Sequence, residues 1–381
     1  MGIMIPKNPS LRFSLLWGRR RNFSSKGNII YVYQGRYAFY QALLLLGIRE
    51  EDEVLLPSFH CPSMVVPILK YGCKVRLYKT RIDLQVRVED IETVVNEKTR
   101  VVFLVHYFGL FQNEIYELKK YLSEKNILLV EDCAHIIPRE CEKAGNIGDI
   151  SIFSPRKYLP LVDGALIKIS SKITKKCPYL RRLSLYMEIK SLKNACEQNL
   201  LGSNWNKMKR YYFYVDSRIN NIRYTKKSDE KGYGSEGGAL FNPELVYSEC
   251  SGLSRRIMNR VNFDEVFRKR QRNYSYLSAA LYDKHIVVRP PFLNGLNSGC
   301  IFGFPVMTAQ RERVIKAIKD RKIETFTFGE SLYGVENLGE NSDELRLSKE
   351  LFFVPMHQDL SERQIGYLSE CLKEVLGSST Q

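Results

Sequence analysis

The 381-residue chain is poor in the residues that build metal centres and disulfide frameworks. It has five histidines, no two at metal-ligand spacing, so no catalytic metal is expected. Its nine cysteines are odd in number, scattered and nowhere spaced Cys-x-x-Cys. That argues against a disulfide scaffold and a zinc site, and suits buried thiols in a reducing compartment. Long apolar runs are also missing. No stretch approaches the roughly 18 residues that span a bilayer, and the opening MGIMIPKNPSLRFSLLWGRRR has no apolar core ending in a small-residue cleavage site. Cytoplasmic residence is the expectation. No internal repeat or low-complexity tract is visible.

What is present is an ordinary globular composition, 44% hydrophobic, on a chain long enough for one large domain and a smaller one. The net charge of +16 is unevenly spread: residues 171–231 hold 15 Lys and Arg against 5 Asp and Glu, most of the imbalance in one sixth of the chain.

From Tyr31 to Ile169, short β-rich runs alternate with helical stretches. EVLLP (53–57), KVRLY (74–78), RVVFLVH (100–106), ILLVEDC (127–133) and ISIFS (150–154) read as buried strands. Between them, segments 36–48, 62–72, 88–97 and 113–126 repeat apolar residues at three and four, several ending at Gly47, Gly72 or Asn126. This alternation predicts an open, mainly parallel α/β sheet, a fold that binds ligands at the carboxyl ends of its strands. Beyond Ile169 the regularity lapses. Leu185, Ile189, Leu192, Cys196 and Leu200 make one helical stripe, followed by a polar, aromatic and basic stretch. Helices are predicted in 259–281, 309–323 and 360–376, the last with Ser361 as N-cap, and a strand in 300–306. The domain reading is an N-terminal arm (1–30), a large domain (31–244) and a small C-terminal domain (245–381).

Three features fall at the edges of these elements. Gly35 precedes a helix whose free N–H groups make an anion seat. Asp132 ends an otherwise apolar strand, where a carboxylate is costly unless it faces a cation or a ligand. His135 follows three residues later. Lys157 interrupts SIFSPRKYLPLVDGALIKI (151–169) between two apolar runs, where a desolvated amine is equally costly. Each alone has a plain structural explanation. Together, a phosphate seat, a carboxylate and a lysine are what pyridoxal 5'-phosphate requires: the lysine carries the cofactor and the carboxylate keeps its pyridine nitrogen protonated.

Through QGRYAFYQALLLLGIREEDEVLLPSFHCPSM, KTRVVFLVHYFG, ILLVEDCAHIIP, GDISIFSPRKYLPLVDGALI and LRLSKELFFVPMHQDLSERQIGYL, the chain resembles the DegT/DnrJ/StrS family of sugar aminotransferases. The resemblance implies the aspartate aminotransferase fold: a three-layer α/β/α large domain with a mainly parallel sheet, plus a smaller α+β domain. It makes Lys157 the Schiff-base lysine and Asp132 the pyridinium partner. It puts His135 beside the cofactor's phenolic oxygen and Gly35, Arg36 and Ser154 at its phosphate. The chain departs from the family pattern in three places. Two residues are missing between Ser154 and Lys157, DGAL replaces the usual double glycine, and His60 and Cys61 replace a Thr-aromatic pair. His60 is the candidate ring to stack on the cofactor.

The implied function is amino transfer, from glutamate, to a nucleotide-linked keto sugar for surface polysaccharide, by a homodimer with active sites between subunits. Sugar dehydration and a catalytically silent scaffold stand as alternatives, with Lys157 favouring transamination. Nucleic-acid binding is suggested by the basic-aromatic KMKRYYFY, but no recognition motif accompanies it. The basic segment 171–231 is a solvated face, a seat for a sugar-nucleotide diphosphate, or a peripheral contact with an anionic membrane.

Overall fold

The computed structural model describes residues 3–11, 15, 28–139, 142–173, 179–202, 241–283, 285–286, 288–293 and 302–377. Seven strands form one sheet: β1 (Asn28–Val32), β2 (Glu53–Pro57), β3 (Lys74–Tyr78), β4 (Thr99–Val105), β5 (Leu128–Cys133), β6 (Ile150–Phe153) and β7 (Ala165–Ile169). Their order is β1-β7-β6-β5-β4-β2-β3. The pairs from β3 through β6 are parallel, while β7 runs antiparallel to both β6 and β1. The carboxyl ends of β2, β4, β5 and β6 therefore share one edge of the sheet.

Both faces of the sheet are covered, as the unbroken apolar runs require. Val101, Phe103 and Val105 of β4 belong to one buried cluster, and Val102 and Leu104 to another. The first face receives α1 (Gly35–Leu46) and α2 (Pro62–Tyr71). The second receives α3 (Val88–Glu92) and α4 (Ile115–Glu124). Gly47 and Gly72 close α1 and α2 in left-handed conformation, as their positions predict. Helix α3 is shorter than its periodicity suggests, because β-branched Thr93, Val94 and Val95 follow Glu92 and the chain continues in turns.

The remainder comprises α5 (Leu185–Gly202), α6 (Gly252–Met258), α7 (Phe263–Leu281), α8 (Arg311–Asp320), α9 (Asp343–Glu350) and α10 (Glu362–Gly377), with a two-stranded antiparallel sheet of β8 (Phe304–Met307) and β9 (Leu351–Val354). Ser361 caps α10 reciprocally: its hydroxyl accepts from Gln364 N at 3.3 Å, and Gln364 Oε1 accepts from Ser361 N at 3.0 Å. Residues 3–11 lie against this C-terminal part, where Ile5 N donates to Lys322 O and Ile5 O accepts from Glu324 N, both at 3.0 Å. One continuous apolar core joins it to the sheet, holding Ile5, Val105 and Phe353 alike. Of the basic segment, 174–178 and 203–231 lie outside the described residues. In its described part, Leu185, Ile189 and Leu192 face solvent at 77%, 58% and 50% exposure. No helix among the described residues is long and apolar enough to cross a membrane.

Candidate active site

A cavity of about 430 Å³ lies at the carboxyl edge of the sheet, and Gly35, Arg36, Asp132, His135, Ser154 and Lys157 all line it. Six of the seven residues singled out from the sequence thus meet in one place, although they come from three separate stretches of chain.

One wall is the start of α1. Its N-cap, Gln34, is extended and makes no side-chain cap, and the first turn carries no acidic residue. The positive end of the helix therefore faces the cavity without a side-chain cap or a carboxylate of its own first turn, which suits an anion. A Cβ placed on Gly35 would stand 4.0 Å from Ser154 Oγ, so the glycine and the hydroxyl face each other across a small gap. Ser154 is 3% exposed, and its hydroxyl has no hydrogen-bond partner among the described residues. A hydroxyl that opens on the cavity beside an uncapped helix start is a site shaped for an anionic oxygen.

Asp132 is the penultimate residue of β5, facing Val105 on one side and Ile152 on the other. Its Oδ1 accepts from Ala134 N at 2.9 Å. Burial pushes its pKa up to about 6, against the opposing pull of the Ala134 bond and the charges of Lys157 and His106. His135 lies in the turn that follows. Burial, and secondarily the charge of Lys157, drive its pKa well below the usual imidazole range. Its Nδ1 accepts from Phe108 N at 3.2 Å.

Lys157 ends a short 3₁₀ turn, Pro155–Lys157, in which Lys157 N donates to Ser154 O at 3.0 Å. The tight turn brings serine and lysine to the same cavity despite the two residues missing between them. The Lys157 ammonium lies 5.4 Å from the centre of the Phe302 ring.

His60 does not line the cavity. Its ring is fully buried, Nδ1 donating to Pro57 O at 2.9 Å and Nε2 accepting from Tyr333 N at 2.9 Å. Burial lowers its pKa to about 4. With both nitrogens committed to backbone, the ring joins the end of β2 to the C-terminal part, and it is the next residue, Cys61, that reaches the cavity.

Other contributors were not read from the sequence. Lys7 arrives on the N-terminal stretch, and Arg270, Phe302 and Phe328 from the C-terminal part. Arg270 was hidden in the charge-rich FRKRQR (267–272), yet it shares the buried phase of α7 with Val266, Asn273, Tyr274 and Leu277. With Lys7, Arg36, Arg156 and Lys157 it gives the cavity, among the described residues, five cationic side chains against the single carboxylate of Asp132. Such a cavity favours ligands with several negative charges.

Glu131, beside Asp132, points the other way and is fully buried. Its carboxylate accepts from Gly145 N (2.7 Å), Ile147 N (2.7 Å), Gly148 N (2.5 Å), Ser151 Oγ (3.4 Å) and His106 Nε2 (2.9 Å). Burial raises its pKa, but the bonds and charge of His106 and the loop N–H groups outweigh it and hold the carboxyl below its usual range. His106, Glu131 and Cys133 put ligand atoms within 4.8 Å of one another, but both Glu131 oxygens are already engaged by hydrogen-bond donors.

A family model, the DegT/DnrJ/EryC1/StrS aminotransferase family, matches residues 19–210. GDP-perosamine synthase of Vibrio cholerae is 33% identical over 147 residues, 37% of this chain and 40% of the relative. A UDP-4-amino-4-deoxy-L-arabinose–oxoglutarate aminotransferase of Shewanella sediminis is 36% identical over 107 residues, 27% of this chain and 26% of the relative. The chain thus matches about two fifths or less of the length of these curated relatives. Among solved structures, the aminotransferase TlmJ from Streptoalloteichus hindustanus superposes with a TM-score of 0.66 at 16% identity, covering 99% of this chain and 100% of that one. E. coli GDP-4-keto-6-deoxy-D-mannose-3-dehydratase with bound hydrated PLP does so with a TM-score of 0.64 at 16% identity, covering 98% and 100%.

Proposed function

Because the chain belongs to the DegT/DnrJ/EryC1/StrS aminotransferase family, we propose that it uses pyridoxal 5'-phosphate to move an amino group from glutamate to the keto carbon of a nucleotide-linked sugar. One observation carries this reading: Lys157 and Asp132 line the same cavity as the uncapped start of α1 and the unpaired hydroxyl of Ser154. The donor set fits the cofactor. The N–H groups at Gly35 and Arg36, the Arg36 guanidinium and Ser154 Oγ would hold its phosphate, Lys157 Nζ its aldehyde carbon, Asp132 its ring nitrogen and His135 its phenolic oxygen. Bound there, the cofactor supplies an electron sink for the bonds at the amine-bearing carbon.

The protein's own groups do the rest. The Asp132 carboxylate holds a proton on the ring nitrogen. Lys157 Nζ would serve as the base and acid that moves a proton at the reacting carbons. The surplus of cationic side chains offers charge to the carboxylates of the donor and the diphosphate of the sugar. Two relatives named for GDP- and UDP-linked sugars support that substrate class. A role in surface polysaccharide synthesis and a homodimeric state belong to the same proposal, as does a peripheral membrane contact through the exposed face of α5. That face carries Leu185, Ile189, Leu192 and the exposed Lys190 and Lys193.

The test is borohydride reduction and peptide mapping of one portion of the cofactor-loaded protein, and incubation of a second, unreduced portion with glutamate and a panel of nucleotide-linked keto sugars. Label on Lys157 is expected, with 2-oxoglutarate released in step with the amino sugar. Loss of a sugar hydroxyl without amine formation would favour the dehydratase reading. Label on another lysine would remove the site assignment.

A further inference from the structure

His135, one of two histidines that line the cavity among the described residues, has one ring nitrogen already spoken for. A neutral imidazole has one donor nitrogen and one acceptor nitrogen, and the bond made by one decides the role of the other. His135 Nδ1 accepts from the backbone N–H of Phe108 at 3.2 Å, so the proton belongs on Nε2. From this geometry we infer that Phe108 is a positioning residue: its backbone N–H locks His135 as the Nε2–H tautomer, making the imidazole a standing hydrogen-bond donor toward the cavity.

The Phe108 backbone is shaped for that contact. It adopts φ 56° and ψ 15°, in the left-handed region that bulky residues rarely enter, and Gly109 follows at φ 100°. Two successive positive-φ residues fold the chain back after β4, closed by Leu110 N to Tyr107 O at 2.8 Å. His106 N donates to Asp132 O at 3.0 Å, holding this turn against the end of β5 from which His135 emerges. The strained conformation is held by packing. The fully buried Phe108 ring has its centre 4.5 Å from that of Phe353, 5.4 Å from Phe328, 5.7 Å from Phe302 and 5.8 Å from Phe292.

The same aromatic group stops the imidazole from turning over. The His135 ring stacks on Phe108 at 5.4 Å and 19°, with Phe302 at 4.2 Å and Phe328 at 5.4 Å from it. Phe302 and Phe328 come from the C-terminal part of the chain, so both parts of the molecule fix the orientation of one ring. Burial and the nearby Lys157 charge keep the ring neutral, which is the state in which a tautomer has meaning. The ligand atom that such a donor suits is an anionic or strongly accepting oxygen, and its identification with the cofactor's phenolic oxygen rests on the proposed function.

The direct test is long-range ¹H–¹⁵N NMR of the histidine-labelled full-length protein without cofactor, between pH 6 and 8. With five histidines in the chain, a His135→Gln spectrum assigns the signal. The expected result is a protonated Nε2 and an unprotonated Nδ1, unchanged across that range. A protonated Nδ1, or a ring titrating within the range, overturns the inference. A second arm measures pyridoxal phosphate affinity. Glutamine keeps an acceptor for Phe108 N–H and a donor for the cavity, whereas leucine keeps neither. His135→Gln should stay close to wild type and His135→Leu should weaken binding about tenfold, the equivalent of one hydrogen bond. Equal affinity of all three overturns the donor role. If the tautomer is as stated and the wild-type protein binds no pyridoxal phosphate, the functional reading falls and the inference about the ring stands.

Discussion

Gln358 Nε2 donates to the main-chain carbonyl of Tyr158 at 2.9 Å, so a loop of the C-terminal part grips the residue directly after Lys157. Arg270 takes hold of the same carbonyl at 3.4 Å, and of Gln358 Oε1 at 2.9 Å and Phe302 O at 3.2 Å. The Tyr158 hydroxyl donates to Ile136 O, in the turn after β5. The lysine thus stands on a turn anchored from two directions.

Arg270→Met should therefore destabilise the protein by about 3 kcal/mol, because buried acceptors lose a charged donor. Gln358→Ala, which leaves Arg270 on the Tyr158 carbonyl, should cost about 1 kcal/mol. Urea denaturation measures both. Equal and negligible losses would mean that the contacts to Tyr158 carry no load.

At Gly35 the expectation is opposite in character. An added Cβ meets nothing closer than 4.0 Å, so Gly35→Ala should fold with stability within about 1 kcal/mol of wild type. The methyl group would nevertheless occupy the gap facing Ser154. Pyridoxal phosphate affinity, followed by fluorescence titration, should fall at least about tenfold. An unchanged affinity would move the phosphate seat elsewhere.

Asp132 makes a prediction about pH. Its folded pKa, about 6, lies above the ordinary 3.8, so the fold favours the protonated form. That contribution to stability is complete below pH ~4 and lost as pH rises through about 6. Asp132→Asn carries no charge to desolvate. In the absence of cofactor it should exceed wild type by up to about 3 kcal/mol at pH 8, from about 2 pKa units at about 1.4 kcal/mol each, and the two should converge near pH 4. Thermal unfolding across this range is the measurement. The same variant should lose turnover by orders of magnitude, so stability and activity would move in opposite directions.

The basic segment gives a prediction of a different kind. None of its described residues lines the cavity. Arg181 instead uses its backbone to pair with the chain at Tyr247 and Glu249, at 2.7 and 2.9 Å. Arg181→Ala should leave the KM for a sugar nucleotide unchanged. Ile189→Glu should abolish low-salt co-sedimentation with anionic vesicles while sparing turnover. Absence of wild-type binding to such vesicles ends the membrane proposal.

Much of the site could be read before the fold, for a local reason. Gly35, Asp132, Ser154 and Lys157 sit at ends of strands and helices, and those ends are marked by a change of period, a glycine or an unexpected charge. His60 illustrates the limit. Between Pro57 and the start of α2 the chain has no period, so nothing in the order of residues says which of His60 and Cys61 turns inward. Arg270 illustrates another: a run of basic residues reads as a solvated face, and only the phase of Val266, Asn273 and Leu277 around it marks one of them as buried. Glu131 was masked by its neighbour, since adjacent strand residues face opposite sides and the carboxylate that organises the 145–148 loop looks like part of one acidic pair.

The pairing of Ile5 with Lys322 and Glu324 has a consequence for how the protein is made. Lys7, which lines the cavity, is held through its N–H by the Glu324 carboxylate, a partner 317 positions further on. During synthesis the stretch around Ile5 and Lys7 must wait until that partner has emerged before it finds its place. The strands bearing Asp132 and leading to Lys157 are made long before that, so the newborn chain has the sheet edge of its site in hand while the cavity still lacks a wall and the lysine's turn its second anchor.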